Sequence, residues 1–348
     1  MRYIAVSKSL IAALRRFHTL AVIGAVLVVQ GFRTHASFAA AELWMVRTYR
    51  IASIAPCPVE ADRFEYFYCD ARGVWARSTQ EAFWANDEAE RPTVVFAHGG
   101  FTDQMWASRL ASGLMQVLRC RGRGRPVRVV LWQWPSERRM RRLRPALWST
   151  MARAEFEGRL LARWLRQFDL SVPPTLVGYS AGCRVIAGGL SWFAAESAGD
   201  GVPADTAARF RTVLVAAAMD ADSLLPSRPN GRAIEVVDTL LVTRHQRDRA
   251  LSLYPRLYPG IGPQAMGRVG VACPQLLGQG MNRLETVDLT ACIAGRHDFL
   301  HYLSAGPLAA RLTSLVFADA SISEPSTSVP TEQPTSDAVE TTGRTTAP

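Results

Sequence analysis

The chain has 348 residues, of which 48% are apolar, and a formal net charge of +10. This length holds one large domain or two small ones, with ample apolar material for a core. The six cysteines contain no Cys-x-x-Cys pair and no Cys/His zinc spacing, which argues against a zinc-binding module. If the protein is exported, some cysteines are expected to be bridged, and Cys57 with Cys69 is the most local pair.

The positive charge is concentrated in one part of the sequence. Ten arginines lie between Arg119 and Arg144, on both sides of a predicted strand at residues 127–132. Such a cluster can contact phosphates or an anionic membrane surface. It lacks interleaved aromatic residues and any recognised nucleic-acid motif, so no nucleic-acid partner is expected. A solvated loop and helix face is the favoured interpretation.

The first 41 residues have the order of a secretory signal. Arg15 and Arg16 precede an apolar run at residues 20–29, and small residues follow. The run is short for a membrane span, which needs about 20 residues. A signal peptide is therefore predicted, with a retained signal-anchor as the alternative because Arg33 interrupts the region before the expected cleavage site. Both predict an exported or membrane-anchored protein. A buried core helix is less favoured, given the terminal position and basic flank.

The body of the chain alternates short apolar segments with helical patterns. Residues 42–48 alternate apolar and polar side chains, as a half-buried edge strand does. Helical periodicity covers residues 105–118 and about 146–168. The other predicted strands are residues 64–68, 93–97, 127–132, 175–177, 212–217, 239–243 and 286–290. Strands that alternate with helices predict an α/β fold, with a mostly parallel sheet covered on both faces.

The end of the sequence differs in composition from the body. Residues after about 319 are rich in Ser, Thr, Pro and Ala and have no apolar periodicity, which predicts a disordered tail. The predicted organisation is a signal at residues 1–41, one globular α/β domain at residues 42–318 and a tail at residues 319–348.

One pentapeptide has the sequence pattern of a reactive site. Residues 178–182 read Gly-Tyr-Ser-Ala-Gly and lie between a predicted strand and a predicted helix, which is the context of a nucleophile elbow. In so tight a turn, a side chain at Gly178 or Gly182 would collide with the neighbouring strand or helix. The pattern predicts a nucleophilic Ser180 at the carboxyl end of a strand. The alternative is a glycine-rich turn that happens to contain serine.

A serine hydroxyl needs a base to take its proton and an acid to orient that base. In elbow-containing folds the acid and then the histidine follow on loops after later strands. Asp248 is the predicted acid, with a surface salt bridge as its alternative role, and Asp220 and Asp222 are fallback acids. His297 lies in the loop after the last predicted strand and is favoured as the base over His301, one helical turn further on.

An acyl-transfer site also needs two backbone N–H groups that point at the developing oxyanion. Ala181, directly after the nucleophile, is one predicted donor, and Gly100 is the other, with Phe101 next in order. His98 is expected to brace this loop through hydrogen bonds. The pair His297 and His301 has the spacing of metal ligands on a helix, but no third ligand is found, and no metal site is predicted.

Four motifs occur together in a recognisable order. They are residues 96–100 (Phe-Ala-His-Gly-Gly), 134–136 (Trp-Pro-Ser), 178–182 and 247–251 (Arg-Asp-Arg-Ala-Leu). With them the chain resembles the alpha/beta hydrolase superfamily over about residues 44–316. Within that superfamily it is most similar to a poorly characterised bacterial branch of serine hydrolases that carries the Trp-Pro-Ser motif.

The resemblance implies an alpha/beta hydrolase fold, a triad of Ser180, Asp248 and His297, and no cofactor. Branch members usually place an aromatic pair and then a proline after the histidine, a pattern that residues 297–300 and 301–303 both match in part, so the base stays open between His297 and His301. A modest insertion at residues 254–282 is expected to roof the site.

Two functions follow from these observations. The favoured one is a serine hydrolase, most simply a carboxylic-ester hydrolase, that forms an acyl-enzyme with a small-molecule ester, thioester or amide. The alternative is a catalytically silent, membrane-tethered scaffold that binds an anionic partner through its arginine-rich face. The set of nucleophile, acid, base and oxyanion loop favours the enzyme.

Overall fold

The computed structural model describes six stretches of the chain, residues 41–49, 64–85, 91–136, 143–201, 209–258 and 262–318. Residues 1–40, Cys57 and the predicted tail from residue 319 lie outside the described residues, and so do the predictions made for them. Within the described stretches, every helix is too short or too polar to span a membrane.

Nine strands of the described chain form a single sheet. They are β1 (Glu42–Arg47), β2 (Glu65–Cys69), β3 (Trp75–Ser78), β4 (Thr93–Ala97), β5 (Arg128–Gln133), β6 (Thr175–Tyr179), β7 (Phe210–Val215), β8 (Val237–Arg244) and β9 (Leu284–Asp288). Their order across the sheet is β3-β2-β1-β5-β4-β6-β7-β8-β9. The β1–β2 and β2–β3 pairs are antiparallel, and every other pair is parallel. Parallel neighbours bring the carboxyl ends of β4 to β9 to one edge.

Helices and short 3-10 segments connect the strands. The helices are α1 (Gln80–Ala85), α2 (Gln104–Arg121), α3 (Leu143–Leu165), α4 (Gly182–Gly199), α5 (Met266–Val269), α6 (Phe299–Leu303) and α7 (Gly306–Val316). The 3-10 segments are Gly231–Val236, Leu251–Leu257 and Pro274–Arg283. Helix α2 starts where the Asp103 carboxylate accepts a hydrogen bond from the Trp106 N–H at 2.7 Å, which satisfies a donor of the first turn.

Apolar side chains of the strands alternate between two cores, one on each face of the sheet. In β4, Val95 and Ala97 pack in the core that includes side chains of α3 and α4. Val94 and Phe96 of the same strand pack in the other core, with side chains of α2 and α7. The predicted fold class, a mostly parallel doubly wound sheet with helices on both faces, is confirmed.

The prediction for the first strand is wrong in its position. Strand β1 is not an edge strand, because β2 and β3 extend the sheet beyond it, and its residues from Leu43 to Val46 are at most 2% exposed. Its polar first residue, Glu42, is paired with Arg91 at 3.0 Å and Arg128 at 3.4 Å. These ion pairs allow the Glu42 carboxylate to be buried in the sheet. The alternation of apolar and polar residues in this strand therefore did not mean that its polar side chains are exposed.

The arginine cluster is divided by the fold. Arg128 lies on β5, is buried and pairs with Glu42. The exposed Arg121, Arg123 and Arg125 precede the amino end of β5, whereas Arg144 on α3 follows its carboxyl end. Of the six described arginines of the cluster, five lie before β5 or at its first residue and one follows it, while the other four lie outside the described residues.

The five described cysteines, Cys69, Cys120, Cys183, Cys273 and Cys292, carry free thiols. Cys183 is fully buried behind the elbow, where its thiol lies 3.5 Å from the Val215 carbonyl oxygen. Burial raises the pKa of the Cys183 thiol, so this side chain acts as a small core residue rather than as a nucleophile.

Candidate active site

The turn between β6 and α4 has the geometry of a nucleophile elbow. Ser180 has a φ of 53°, in the left-handed region that residues with a side chain rarely adopt. A Cβ atom at Gly178 would lie 2.8 Å from the Cα of Cys183, and one at Gly182 would lie 2.1 Å from the Ala97 carbonyl oxygen. Both contacts are too short for any side chain, so the two flanking glycines are required by packing against the helix and the neighbouring strand.

The strained serine is held by backbone hydrogen bonds to the end of the next strand. The Ser180 N–H donates to the Val215 carbonyl at 3.0 Å, and the Ala218 N–H donates to the Ser180 carbonyl at 3.1 Å. A sparsely populated backbone conformation persists only where the surrounding structure determines it. These bonds fix Ser180 at the carboxyl edge of the sheet.

Ser180, His297 and Asp248 form a continuous chain of hydrogen bonds. The Nε2 atom of His297 lies 2.8 Å from the Ser180 Oγ, and its Nδ1 lies 2.7 Å from the Asp248 Oδ2. Because a carboxylate only accepts, Nδ1 carries the proton of a neutral ring and Nε2 accepts from the serine hydroxyl. His301 lies elsewhere, and its Nε2 accepts from the Ala294 N–H at 3.2 Å.

Asp248 is a buried carboxylate with three donors. It is 0% exposed, so its alternative role as a surface salt bridge is wrong. Besides His297, the Leu251 N–H donates to Oδ1 at 2.9 Å and the Tyr302 hydroxyl donates to Oδ2 at 2.7 Å. Burial by itself raises the pKa of Asp248, but these donors outweigh it and lower the pKa below its ordinary value. The carboxylate therefore stays ionised at neutral pH.

The two fallback acids have other partners. Asp220 accepts hydrogen bonds from the hydroxyls of Tyr254 at 2.6 Å and Tyr258 at 2.9 Å. Asp222 is paired with Arg228. Among the predicted acids, the one that contacts His297 is Asp248.

Tyr179 and Tyr302 contact this chain of residues, and neither was predicted to have a role. The Tyr179 hydroxyl donates to the His297 carbonyl oxygen at 3.1 Å, and the two rings stack with centroids 5.3 Å apart. The Tyr302 hydroxyl donates to the Asp248 Oδ2, the oxygen that His297 also contacts. The available signal was an aromatic residue next to the nucleophile and another just after the histidine, but neither pattern identifies the hydrogen bond that is formed.

The loop after β4 passes directly over the elbow. A Cβ atom at Gly99 would lie 3.2 Å from the Ser180 Cβ, and one at Gly100 would lie 3.6 Å from the Ala181 Cβ. Among the described residues, neither the Gly100 N–H nor the Ala181 N–H has a hydrogen-bond acceptor. The Phe101 N–H, the second choice as donor, is occupied, because it donates to the Ser136 carbonyl oxygen at 2.6 Å. The two N–H groups without acceptors are thus the ones first predicted for the oxyanion.

His98 braces this loop from inside the protein. It is fully buried, its Nδ1–H donates to the Gly99 carbonyl at 2.9 Å, and its ring stacks on Trp134 with centroids 5.5 Å apart. Burial lowers the pKa of His98 to about 4, against which the Gly99 bond has the opposite but smaller effect. The ring is therefore neutral at pH 7 and is oriented by one donor bond.

Three features identify the fold. They are the strand order, the elbow after β6, and the order of serine, acid and histidine along the chain. This is an alpha/beta hydrolase fold. No family model matches the sequence, and no curated protein matches it. Among solved structures the chain is similar to one titled "Crystal Structure of TT1662 from Thermus thermophilus", with a TM-score of 0.39 and 13% identity over 73% of this chain and 94% of that one.

The segment after Asp248 is attached to helix α4, which follows the elbow. Arg184, in the first turn of α4, donates through Nε to the Ala218 carbonyl at 3.0 Å and through Nη2 to the Tyr254 hydroxyl. Tyr258 contacts the ring of Trp148, near the start of α3, at a centroid distance of 5.2 Å. Residues of the predicted roof thus connect α4 with α3.

Within the described ranges, no group of three or more His, Cys, Asp or Glu side chains is placed to hold a metal ion. His297 and His301 do not converge, because one bonds Ser180 and Asp248 while the other bonds the Ala294 N–H. The arrangement offers a hydroxyl with a base, an ionised acid and two N–H donors.

Proposed function

We propose that this protein is a serine hydrolase that acts through an acyl-enzyme on a small-molecule ester, thioester or amide, with carboxylic esters favoured. The observation that carries the proposal is the unbroken hydrogen-bond chain from the Ser180 hydroxyl through His297 to the buried Asp248. Both hydrogen bonds have the length expected where a histidine activates a serine, and each joins one donor to one acceptor.

In the acylation step, the Ser180 Oγ attacks the carbonyl carbon while His297 Nε2 takes the hydroxyl proton. The Nδ1–H bond to Asp248 keeps Nε2 unprotonated beforehand and stabilises the imidazolium that forms. Negative charge develops on the carbonyl oxygen, and the N–H groups of Gly100 and Ala181 are the proposed donors to it. His297 then protonates the leaving group as the carbonyl reforms and the leaving-group bond breaks.

Deacylation repeats these roles with water as the nucleophile. His297 takes a proton from water, the hydroxide oxygen bonds to the acyl carbon, and the bond to Ser180 Oγ breaks as the serine regains its proton. Each step uses the same oxyanion donors. The neighbouring Tyr179 keeps the His297 ring in place between the two steps, because it holds both the ring and the backbone carbonyl.

Labelling with a fluorophosphonate tests the proposal directly, because the probe reacts with an activated serine. The wild type should be labelled and should hydrolyse a small activated ester, and Ser180→Ala should do neither. Ser191→Ala, on helix α4 directly after the elbow and with its hydroxyl directed at the Pro229 carbonyl, is the matched control and should react as the wild type does. Equal labelling of Ser180→Ala and wild type would refute the assignment.

We also propose that residues 1–41 export the protein or anchor it at a membrane, on the basis of their basic, apolar and small-residue order. Recovery of the intact N-terminus in the soluble cytoplasmic fraction would contradict this. The alternative is the catalytically silent scaffold that binds an anionic partner through its arginines. It becomes the better hypothesis if the wild type neither labels nor hydrolyses any ester.

A further inference from the structure

The Trp-Pro-Ser motif contacts the loop after β4 at several backbone groups. The Trp134 Nε1–H donates to the His98 carbonyl at 3.0 Å, and the Ser136 hydroxyl lies 3.1 Å from the Gly99 carbonyl oxygen. The Ser136 backbone carbonyl accepts from the Phe101 N–H at 2.6 Å, and its Oγ accepts from the Thr102 N–H at 3.3 Å. The backbone groups on both sides of Gly100 are thus bonded, while the Gly100 N–H itself has no acceptor among the described residues.

The geometry of the peptide unit connects these contacts to the proposed chemistry. The Gly99 carbonyl and the Gly100 N–H belong to one planar trans peptide and point in opposite directions. Donors that hold the Gly99 oxygen on one side therefore direct the Gly100 N–H to the other. His98 Nδ1–H donates to the Gly99 oxygen at 2.9 Å, and the Ser136 hydroxyl oxygen lies 3.1 Å from the same atom. The loop itself lies against Ser180 and Ala181.

This peptide needs external support because of its sequence. It joins two glycines, which restrict backbone rotation less than any other residues, so a flip of the peptide plane meets little local resistance. Phe101, the next residue, has a φ of 57° and is also in a strained conformation. The Ser136 side chain is 1% exposed, so its hydroxyl proton goes to a protein acceptor, either the Gly99 carbonyl or the Thr102 carbonyl at 3.2 Å.

We propose that Ser136 is a positioning residue for the hydrolysis reaction. Its hydroxyl anchors the Gly99 carbonyl and thereby keeps the Gly100 N–H directed at the oxyanion. Ser136 does not touch the reacting atoms, and it acts through the loop. This inference rests on the proposed serine-hydrolase function, and it assigns to the Trp-Pro-Ser motif a role that the sequence pattern did not supply.

The test compares Ser136→Ala with Thr48→Val. Thr48 is also fully buried, and its hydroxyl bonds Glu157 rather than the loop, so its loss lowers stability without touching residues 98–102. For Ser136→Ala we expect kcat for a small activated ester to fall about ten- to a hundredfold at unchanged KM, since one oxyanion donor is misdirected. The Ki of a trifluoromethyl ketone, which forms an oxyanion on binding serine, should rise by a similar factor. Thr48→Val should change neither kinetic constant.

Amide hydrogen exchange supplies a readout that does not depend on turnover. The Phe101 N–H bonds a backbone carbonyl that Ser136→Ala retains, so its faster exchange in this variant, but not in Thr48→Val, would report a loosened loop. Unchanged exchange, kcat and Ki in Ser136→Ala would overturn the inference. An inactive wild type would refute the proposed function instead, and Phe101 exchange would still decide whether the Ser136 hydroxyl orients the loop.

Discussion

At the scale of single residues, each side chain of the candidate site is fixed by a neighbour so that one atom remains available for chemistry. Tyr302 and the Leu251 N–H hold Asp248, Asp248 holds the Nδ1 of His297, and the Nε2 of His297 is left facing the Ser180 hydroxyl. The ring of Tyr179 stacks on the ring of His297 and restrains it. A fixed base is effective because it loses no freedom when the reaction begins.

The two histidines after β9 should differ sharply when each is removed. His297→Ala should lower kcat for ester hydrolysis by roughly four to six orders of magnitude, since triad members act as a unit. His301→Ala should keep most of the activity and lower the unfolding free energy by about 1 to 3 kcal/mol, because His301 accepts the Ala294 N–H. Steady-state kinetics and thermal melts on both variants test this. Activity that survives only in His297→Ala would move the base to His301.

Tyr302→Phe should remove one hydrogen-bond donor to Asp248 but leave the carboxylate in place. Loss of a donor to a buried carboxylate costs about 2 kcal/mol of unfolding free energy, and we expect kcat to fall about tenfold as His297 is held less firmly. Tyr66→Phe is the matched control, because Tyr66 is buried and its hydroxyl bonds Trp164, away from the site. Its kcat should not change.

The pH dependence of this variant follows from the lowered pKa of Asp248. A carboxylate with a lowered pKa contributes stability above the pKa of its unfolded form, about 3.9, and that stability is lost as the pH falls through the folded pKa. The Tm difference between wild type and Tyr302→Phe should therefore be full at neutral pH and shrink below about pH 4. A difference that is constant down to pH 2 would show that Tyr302 does not act on the ionised carboxylate.

At the scale of elements, the site depends on two turns at the carboxyl edge of the sheet, the elbow after β6 and the loop after β4. The elbow packs so closely that two glycines are required, and the loop is bound to the Trp-Pro-Ser segment after β5. Both turns hold a residue with positive φ, Ser180 and Phe101. Strain of this kind is retained where the surrounding hydrogen bonds outweigh it.

The loop after β4 should be sensitive to acid through His98. Because burial lowers the pKa of His98 from 6.5 to about 4, the folded protein binds fewer protons than the unfolded chain between these values. Its unfolding free energy should then decrease by up to about 3 kcal/mol as the pH falls from 6.5 to 4. His98→Asn keeps a donor for the Gly99 carbonyl but has no titratable group. Denaturant melts should show a flatter pH profile for this variant, and parallel profiles would contradict the prediction.

Most elements near the site were predictable because their signals are local. The run at residues 175–177 and the flanking glycines predicted the turn that is observed after β6, and the periodicity at residues 105–118 predicted α2 (Gln104–Arg121). Strand β9 ends two residues earlier than predicted, because the Asp288 carboxylate accepts the Thr290 N–H at 2.9 Å and forms a turn. Strand β3 (Trp75–Ser78) and helix α1 were not predicted, since four to six residues carry too little periodicity.

Contacts between distant segments could not be predicted in this way. Tyr302 lies 54 residues from the carboxylate it bonds, and Ser136 lies 37 residues from Gly99. No spacing rule relates such pairs, because their approach depends on the packing of the whole sheet. The same holds for β1, whose interior position follows from two additional strands and from the ion pairs of Glu42. The sequence favoured His297 over His301 by placement alone, and the two are distinguished by their partners: His297 bonds Ser180 and Asp248, whereas His301 accepts the Ala294 N–H.

At the scale of the whole molecule, helix α7 and Phe317 form the carboxyl-terminal end of the described domain. The Phe317 ring is 8% exposed, lies 4.7 Å from the Arg125 guanidinium, and its carbonyl accepts from Arg125 Nη1 at 3.2 Å. Arg125 precedes β5, so this contact ties the end of the domain to the loop between α2 and β5. This contact lies close to the start of the Ser/Thr/Pro-rich segment.

Truncation at two neighbouring positions separates the domain from the predicted tail. Deletion of residues 320–348 should leave the Tm and any esterase activity nearly unchanged, because that segment has no apolar periodicity with which to pack. Deletion of residues 317–348 also removes the buried Phe317 ring, which is worth about 1.5 to 3 kcal/mol, and should lower the Tm by about 5 °C. Thermal melts of the two truncated proteins beside the full chain measure both effects. A large loss of stability in the shorter deletion would show that the tail packs on the domain. No loss in the longer deletion would show that Phe317 contributes nothing to the stability of the domain.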